Sequence, residues 1–153
     1  MSEAVVKVFL ELHKKKLIYK DFKLSNWDPV LQTAISDLEV VQKEVEGKLY
    51  YIKYLINKDD FITIATTRPE TIFADSAIAV NPKDKKYKKL INKYAKIPII
   101  DKQIKIIADD YADPNQGSGA VKITPAHDFN DYDVGLRHDL EKINILESNG
   151  RLN

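Results

Sequence analysis

The sequence predicts an α+β domain built on a β-barrel-like sheet with peripheral helices. Three observations lead there. Apolar residues fall in many short runs of strand length, several alternating with polar neighbours as a half-buried strand does. Helical spacing is interspersed among these runs without the regular strand–helix alternation of a doubly wound sheet. The 153 residues also suit one domain with enough chain to bury a core.

Taken in order, Ser2 can cap a first helix in which Val5, Val6, Phe9, Leu10 and Leu12 follow helical spacing. Lys14 to Lys16 complement its C-terminal dipole. From Leu17 to Trp27 apolar residues are mixed with lysines until Asp28-Pro29 breaks the run. Trp27 is expected as the buried anchor of that loop, with Asn26-Trp27-Asp28-Pro29 as a binding element the alternative. Leu38–Val45 and Lys48–Ile56 read as a hairpin turning at Gly47, with Tyr50, Ile52, Tyr54 and Ile56 on one face. Strand-packed tyrosines account for this run; nucleic-acid stacking is the other reading.

Phe61–Thr67 has the pattern of a buried strand and runs into Arg68-Pro69, where proline favours a first helical turn. Ala77–Val80 gives another strand, and Asn81-Pro82 a turn. Lys83–Lys96 is expected as a solvated helix, with RNA contact as the alternative. Residues 97–100 and 104–108 read as strands, Asp109–Pro114 as a loop, and residues 143–146 as a last strand.

The totals narrow the function. A formal charge of +1 leaves no basic footprint, so any nucleic acid is met over a small patch or with help from other domains. The absence of cysteine excludes disulfides and thiolate metal sites. With no apolar run of membrane-spanning length and no signal-peptide pattern, the expected location is the cytoplasm, without a membrane partner. Gly117-Ser118-Gly119 followed by Lys122 completes neither a dinucleotide fingerprint nor a P-loop. The aspartates after position 127 fail the alternation of a calcium loop. His13, His127 and His138 form no His-x-x-x-His pair, and there is no nucleophile elbow. A hydrolase here would have to activate water without a triad or a metal.

The chemistry concentrates between Gly117 and Tyr132. A glycine turn leads into a short strand with Val121 and Ile123 on one face and Lys122 and Thr124 on the other. Pro125 ends the strand. Asp128 is a candidate N-cap, and Asp131, three residues on, shares its side of the first helical turn. The helix N-terminus favours both as anions at neutral pH. Such a junction can grip a small cationic, hydroxyl-bearing ligand; the plainer reading is a capped helix with an acidic first turn. A second strand-to-helix junction, at Thr66, Thr67 and Arg68, has backbone amides and a guanidinium suited to a ribose or phosphate.

Three strings, in order, are recognisable: Asn26-Trp27-Asp28-Pro29 through Thr33-Ala34-Ile35-Ser36-Asp37-Leu38-Glu39, Ala65-Thr66-Thr67-Arg68-Pro69-Glu70-Thr71, and Gly117-x-Gly119-Ala120-Val121-Lys122-Ile123-Thr124-Pro125-Ala126-His127-Asp128 with Asn130-Asp131-Tyr132. Together they resemble the editing domain inserted into the class I core of valyl-tRNA synthetases, over nearly the whole chain. The resemblance implies a single editing domain over residues 1–153, a fragment of a larger synthetase, with residues 1–37 as its N-terminal connecting segment. It implies hydrolysis of threonine wrongly esterified to valine tRNA, whose 3′ end would be the partner along with the rest of the synthetase. No cofactor is implied; ATP would serve only a synthetic core, whose signature motifs this sequence lacks. Threonine and valine are near-isosteric, so an apolar pocket rejects the hydroxyl weakly, and valyl enzymes are the standard illustration. By resemblance, Asp131 binds the substrate ammonium as a positioning group and not a general base, and Asp128 reads the side-chain hydroxyl. Lys122 and Thr124 line the pocket, Thr66, Thr67 and Arg68 hold the terminal adenosine and its ester, and no metal takes part. Gln116 departs from the aromatic residue expected there, which leaves a tRNA-docking module with a degenerate, non-hydrolytic pocket as the alternative.

Overall fold

The computed structural model describes residues 2–153; Met1, where the expected 1–153 domain begins, lies outside them. The first helix forms as the spacing predicts, as α1 (Ser2–Lys14). Its apolar stripe is not covered, since Val5, Val6, Phe9 and Leu10 are all at least half exposed and no residue of the helix is buried. A two-stranded antiparallel ribbon follows, β1 (Asn26–Asp28) with β2 (Thr33–Ile35). Asp28 Oδ1 closes its turn by accepting the amides of Val30 and Leu31 at 2.8 and 3.1 Å. Trp27 is not the buried anchor expected: it is 46% exposed, held by one hydrogen bond from Nε1 to the Ser148 carbonyl at 2.7 Å.

The body of the chain is a six-stranded sheet of β3 (Tyr50–Leu55), β4 (Phe61–Thr66), β5 (Ala77–Val80), β6 (Tyr94–Lys96), β7 (Gln103–Ala108) and β8 (Ala120–Ile123). The order is β4-β3-β6-β7-β5-β8, with β5–β7 parallel and the other described pairings antiparallel. The outer strands β4 and β8 approach each other, which curls the sheet into the nearly closed, barrel-like α+β fold that the sequence predicts. Ile78 and Val80 of β5 face the barrel interior with Tyr54, Ile62, Ile64 and Ile106. Ala77 and Ala79 face the other way, towards Ile107, Ile123 and Val134. Val134 belongs to α2 (Phe129–Arg137), and the small alanines leave room for that helix. Gly135 serves the same packing, because a Cβ there would fall 2.8 Å from Pro125 Cβ.

Four expected elements are corrected. The hairpin does not turn at Gly47: β3 turns into β4 through Asn57–Asp60, where Asn57 Oδ1 accepts the amides of Asp59 and Asp60 at 3.1 and 2.9 Å. The pairing runs from Tyr50–Thr66 to Leu55–Phe61, and Val41 and Val45 stay exposed. Lys83–Lys96 is not one helix but a short 3-10 turn, Lys88–Leu90, followed by β6. Asn92 at φ 67° stops helical propagation, and its amide donates to Ile106 of β7 at 2.8 Å. Residues 97–100 form no strand, since Ile99 turns at φ 76° to start the return into β7. The last expected strand is reduced to a single bridge between Leu146 and Leu152. Among the described residues, no helix is long and apolar enough to cross a membrane.

Candidate functional site

The curl that brings β4 beside β8 also brings together the two junctions singled out in the sequence. Thr66, Thr67 and Arg68 at the end of β4 face Lys122, Thr124 and Asp128 across a cleft of ≈ 440 Å³, with Asp131 at its inner end. Gly117 makes this approach possible: it adopts φ +56°, and a Cβ there would sit 2.8 Å from Ala65 Cβ on β4.

Each side chain is fixed by its local structure. Asp128 caps α2, its Oδ1 accepting the amides of Asn130 and Asp131 at 2.8 and 3.1 Å. Both bonds fall on Oδ1, and the residue also lines the cleft. Asp131 is 6% exposed and its Oδ2 accepts the Thr124 amide at 2.9 Å, leaving Oδ1 for a ligand. Burial pushes the Asp131 carboxyl up to about 6, and nearby Asp128 and Asp75 add to the rise against the Thr124 amide and Lys122. Burial thus raises Asp131 where the sequence suggested that the helix N-terminus would hold the proton off. Arg68 stands at the rim, half exposed, with Nη1 donating to the His127 carbonyl at 2.8 Å. Thr66 Oγ1 accepts the Arg68 amide at 3.1 Å and so holds the junction bend.

The cleft floor contains a residue that the sequence reading missed. Asp75, which follows a 3-10 turn (Pro69–Ala74), is fully buried beneath the pocket. It accepts hydrogen bonds from Tyr54 Oη at 2.6 Å, Thr124 Oγ1 at 2.9 Å and Lys122 Nζ at 3.1 Å. Lys122 Nζ also bonds Thr124 Oγ1. Burial raises the Asp75 carboxyl, opposed by Lys122 and the two hydroxyls, and burial beside Asp75 raises the Tyr54 phenol. Lys122 is thus committed to the floor and Thr124 is held in place by it. A signal existed: a lysine inside the buried run Ala120–Ile123 requires a counter-charge, and Asp75 is the lone carboxylate between the apolar runs Ile72–Ala74 and Ala77–Val80. Tyr111 and Thr71, neither singled out in the sequence, also line the cleft.

Outside the cleft, Asp109 binds Arg137 Nη2 at 3.0 Å and His138 Nε2 at 2.8 Å, tying the loop after β7 to the end of α2. Burial pushes the Asp109 carboxyl upward, but Arg137, the Tyr111 amide and His138 together hold it below the usual range. His127 Nε2 accepts the Ile145 amide at 3.2 Å, and burial beside Arg68 lowers its affinity for a proton. No set of three histidine, aspartate or glutamate side chains converges as a metal site among the described residues.

With this geometry in view, a sequence profile of the tRNA synthetases class I (I, L, M and V) matches residues 1–104. The chain belongs to that family. The valine–tRNA ligase of Pelagibacter ubique is 64% identical over 154 residues, a match covering 100% of this chain and 18% of the relative. That of Rhodopseudomonas palustris is 54% identical over 160 residues, covering 99% and 17%. This synthetase chain thus spans under a fifth of the length of those curated relatives. The Agrobacterium radiobacter K84 LeuRS, in a ternary complex with tRNA and LeuAMS, superposes with TM-score 0.54 at 20% identity over 91% of this chain and 27% of that one. At that identity the likeness establishes a shared fold.

Proposed function

We propose that this chain is the editing domain of a valine–tRNA ligase and hydrolyses the ester of threonine mischarged on valine tRNA, releasing threonine and tRNA. The observation that carries the reading is the meeting of the two junctions at one cleft, with a buried carboxylate, Asp131, at its end. A free carboxylate oxygen in a site of low dielectric suits an ammonium, the one charge every aminoacyl ester carries near its carbonyl. Asp131 in this reading orients the ester and takes no proton from water. Asp128 Oδ2 accepts the threonine hydroxyl; a valyl ester would cover the same oxygen and leave it unpaired. The Thr66–Arg68 junction holds the terminal adenosine, with Lys122 and Thr124 setting the pocket floor. Water adds to the ester carbonyl, positioned by the site and the neighbouring ribose hydroxyl, and the C–O bond to the ribose breaks. The proton that the attacking water gives up ends on the released ribose oxygen, by way of the neighbouring ribose hydroxyl, so threonine keeps the water oxygen and the tRNA end is regenerated.

We assign residues 1–37 as the connecting segment, the cytoplasm as the location, and the rest of the synthetase as a partner. The absence of buried residues in α1 supports the first assignment. The test is deacylation of threonyl-tRNA(Val) by this chain and by Asp131→Ala. Turnover by the wild type, and loss of both turnover and threonyl-ester binding in the variant, is the expected result. Binding without turnover, indifferent to Asp131, would establish a docking module instead.

A further inference from the structure

Tyr111 lines the cleft away from both junctions, and among the described lining residues it alone carries a benzene ring. It is 38% exposed, yet the loop that bears it is closely held. Asp109 donates its amide to the Val80 carbonyl at 3.1 Å, and Ala112 donates back to the Asp109 carbonyl at 3.3 Å. Ala112 is fully buried, and its carbonyl accepts Asn81 Nδ2 at 3.0 Å. Between these anchors the Tyr111 amide donates to Asp109 Oδ1 at 2.9 Å.

The same Asp109 carboxylate binds Arg137 and His138, so it refers the Tyr111 backbone to the end of α2. The start of α2 carries Asp128 and Asp131. One helix therefore sets both the cleft carboxylates and the loop that presents the ring. Burial pushes the Tyr111 phenol up, and nearby Asp131 and Asp128 push it further against Asn130, so the side chain adds no negative charge of its own. A ring this exposed gains little core burial from such restraint. What the restraint fixes is where the ring stands relative to Asp131.

We propose that Tyr111 is a further substrate-binding residue, its ring covering the ammonium held by Asp131, and that Asp109 is the residue that positions it. The inference rests on the editing reading of the cleft. An aromatic face attracts an ammonium, and a ring over that contact keeps water away, which strengthens the pairing with the carboxylate. The cover acts on the charge that all aminoacyl esters share. It adds affinity and leaves the choice of threonine over valine to other groups.

The probes are a non-hydrolysable threonylamide of adenosine and its deamino counterpart, which keeps the hydroxyl and lacks the ammonium. Binding is read by amide NMR shifts at Thr66–Arg68 and Asp131. Tyr111→Leu is expected to weaken the threonylamide by about twofold to thirtyfold, the range for one ammonium–ring contact. Its affinity for the deamino probe, and its ratio of threonyl to valyl deacylation, should stay at the wild-type value. Tyr111→Phe should bind as the wild type does, since the ring and not the phenol is required. Asp109→Ala should weaken the threonylamide selectively as well, and adding it to Tyr111→Leu should bring little further loss, because Asp109 acts through Tyr111. Asp109→Asn keeps an acceptor for the Tyr111 amide and should bind nearer the wild type than Asp109→Ala. Unchanged threonylamide affinity in Tyr111→Leu, or an equal loss for both probes, overturns the cover and leaves the editing pocket standing. Additive losses in the double variant overturn the positioning role of Asp109, which then only staples the loop to α2. Failure of the wild type to bind the threonylamide overturns the editing reading and the cover with it.

Discussion

Lys122 Nζ lies 3.1 Å from Asp75 Oδ1 beneath the cleft, with the lysine side chain 9% and the aspartate 0% exposed. The pair spans the joint between β8 and the strand-to-turn segment before β5, so the pocket floor is an electrostatic contact rather than an apolar one. Removing one partner leaves the other charge buried, which costs about 3–5 kcal/mol, whereas replacing both by apolar groups is far less costly. Lys122→Met is expected to destabilise the domain by about that amount in urea titrations. The Asp75→Leu, Lys122→Met double variant should recover a large part, short of wild type because Tyr54 Oη loses its acceptor. Additive losses in the double variant would show that the pair does not act as a unit.

The buried Asp131 makes the domain less stable where its site is ionised. Its folded value is about 6, above the ordinary carboxylate value of 3.8. Between those values the folded state holds a proton that the unfolded chain has released, so stability falls as pH rises through this window and stays lowered above it. The penalty at pH 7 is about 2–3 kcal/mol. Asp131→Asn keeps an oxygen for the Thr124 amide and should melt above the wild type at pH 7–8, the gap closing near pH 4. A gap of constant size across that range would contradict burial as its cause. The same variant should bind no threonyl ester, so that gain in stability and loss of binding go together.

How much of this was legible in the sequence depended on whether a signal was local. The cap at Asp128, the strand stop at Pro125 and the helix entry at Pro69 are fixed by neighbours a few residues away, and each stands where the sequence placed it. Within Lys83–Lys96, Tyr87, Leu90 and Ile91 have helical spacing, yet they pack into the barrel from in and around the 3-10 turn Lys88–Leu90; the long-range bond from Asn92 to Ile106 decides the matter. A lone tryptophan beside Asp28-Pro29 predicts a buried anchor, and nothing local shows that the ribbon leaves it half open. Asp75 was missed since its three partners are Tyr54, Lys122 and Thr124, far away in the chain and adjacent only once the sheet curls.

Gly117 tests whether the approach of the two junctions is needed for function. At φ +56°, alanine is strained, and its Cβ would meet Ala65 Cβ at 2.8 Å, with strand backbone behind it. The expected cost is about 1–3 kcal/mol of stability. Because β4 and β8 must separate to admit the methyl, affinity for the threonylamide nucleoside should fall as well. Unchanged affinity at reduced stability would mean that the two sides of the cleft bind independently.

In the proposed editing reading Asp128 serves α2 with Oδ1 and the substrate hydroxyl with Oδ2, and two variants separate the roles. Asp128→Ala removes the cap and is expected to cost about 1 kcal/mol of stability. Asp128→Asn preserves an Oδ1 acceptor for the Asn130 and Asp131 amides but turns the other position into an amide donor. Its stability should stay near wild type. In Asp128→Ala the preference for threonyl over valyl esters should drop by about fivefold or more, since the valyl side chain no longer covers an unpaired polar atom, whereas Asp128→Asn, whose amide can donate to the threonine hydroxyl oxygen, should lose less of it. The measurement is the ratio of deacylation rates on the two esters at equal concentration. A ratio preserved in Asp128→Ala would remove Asp128 from hydroxyl recognition and leave it as the helix cap alone.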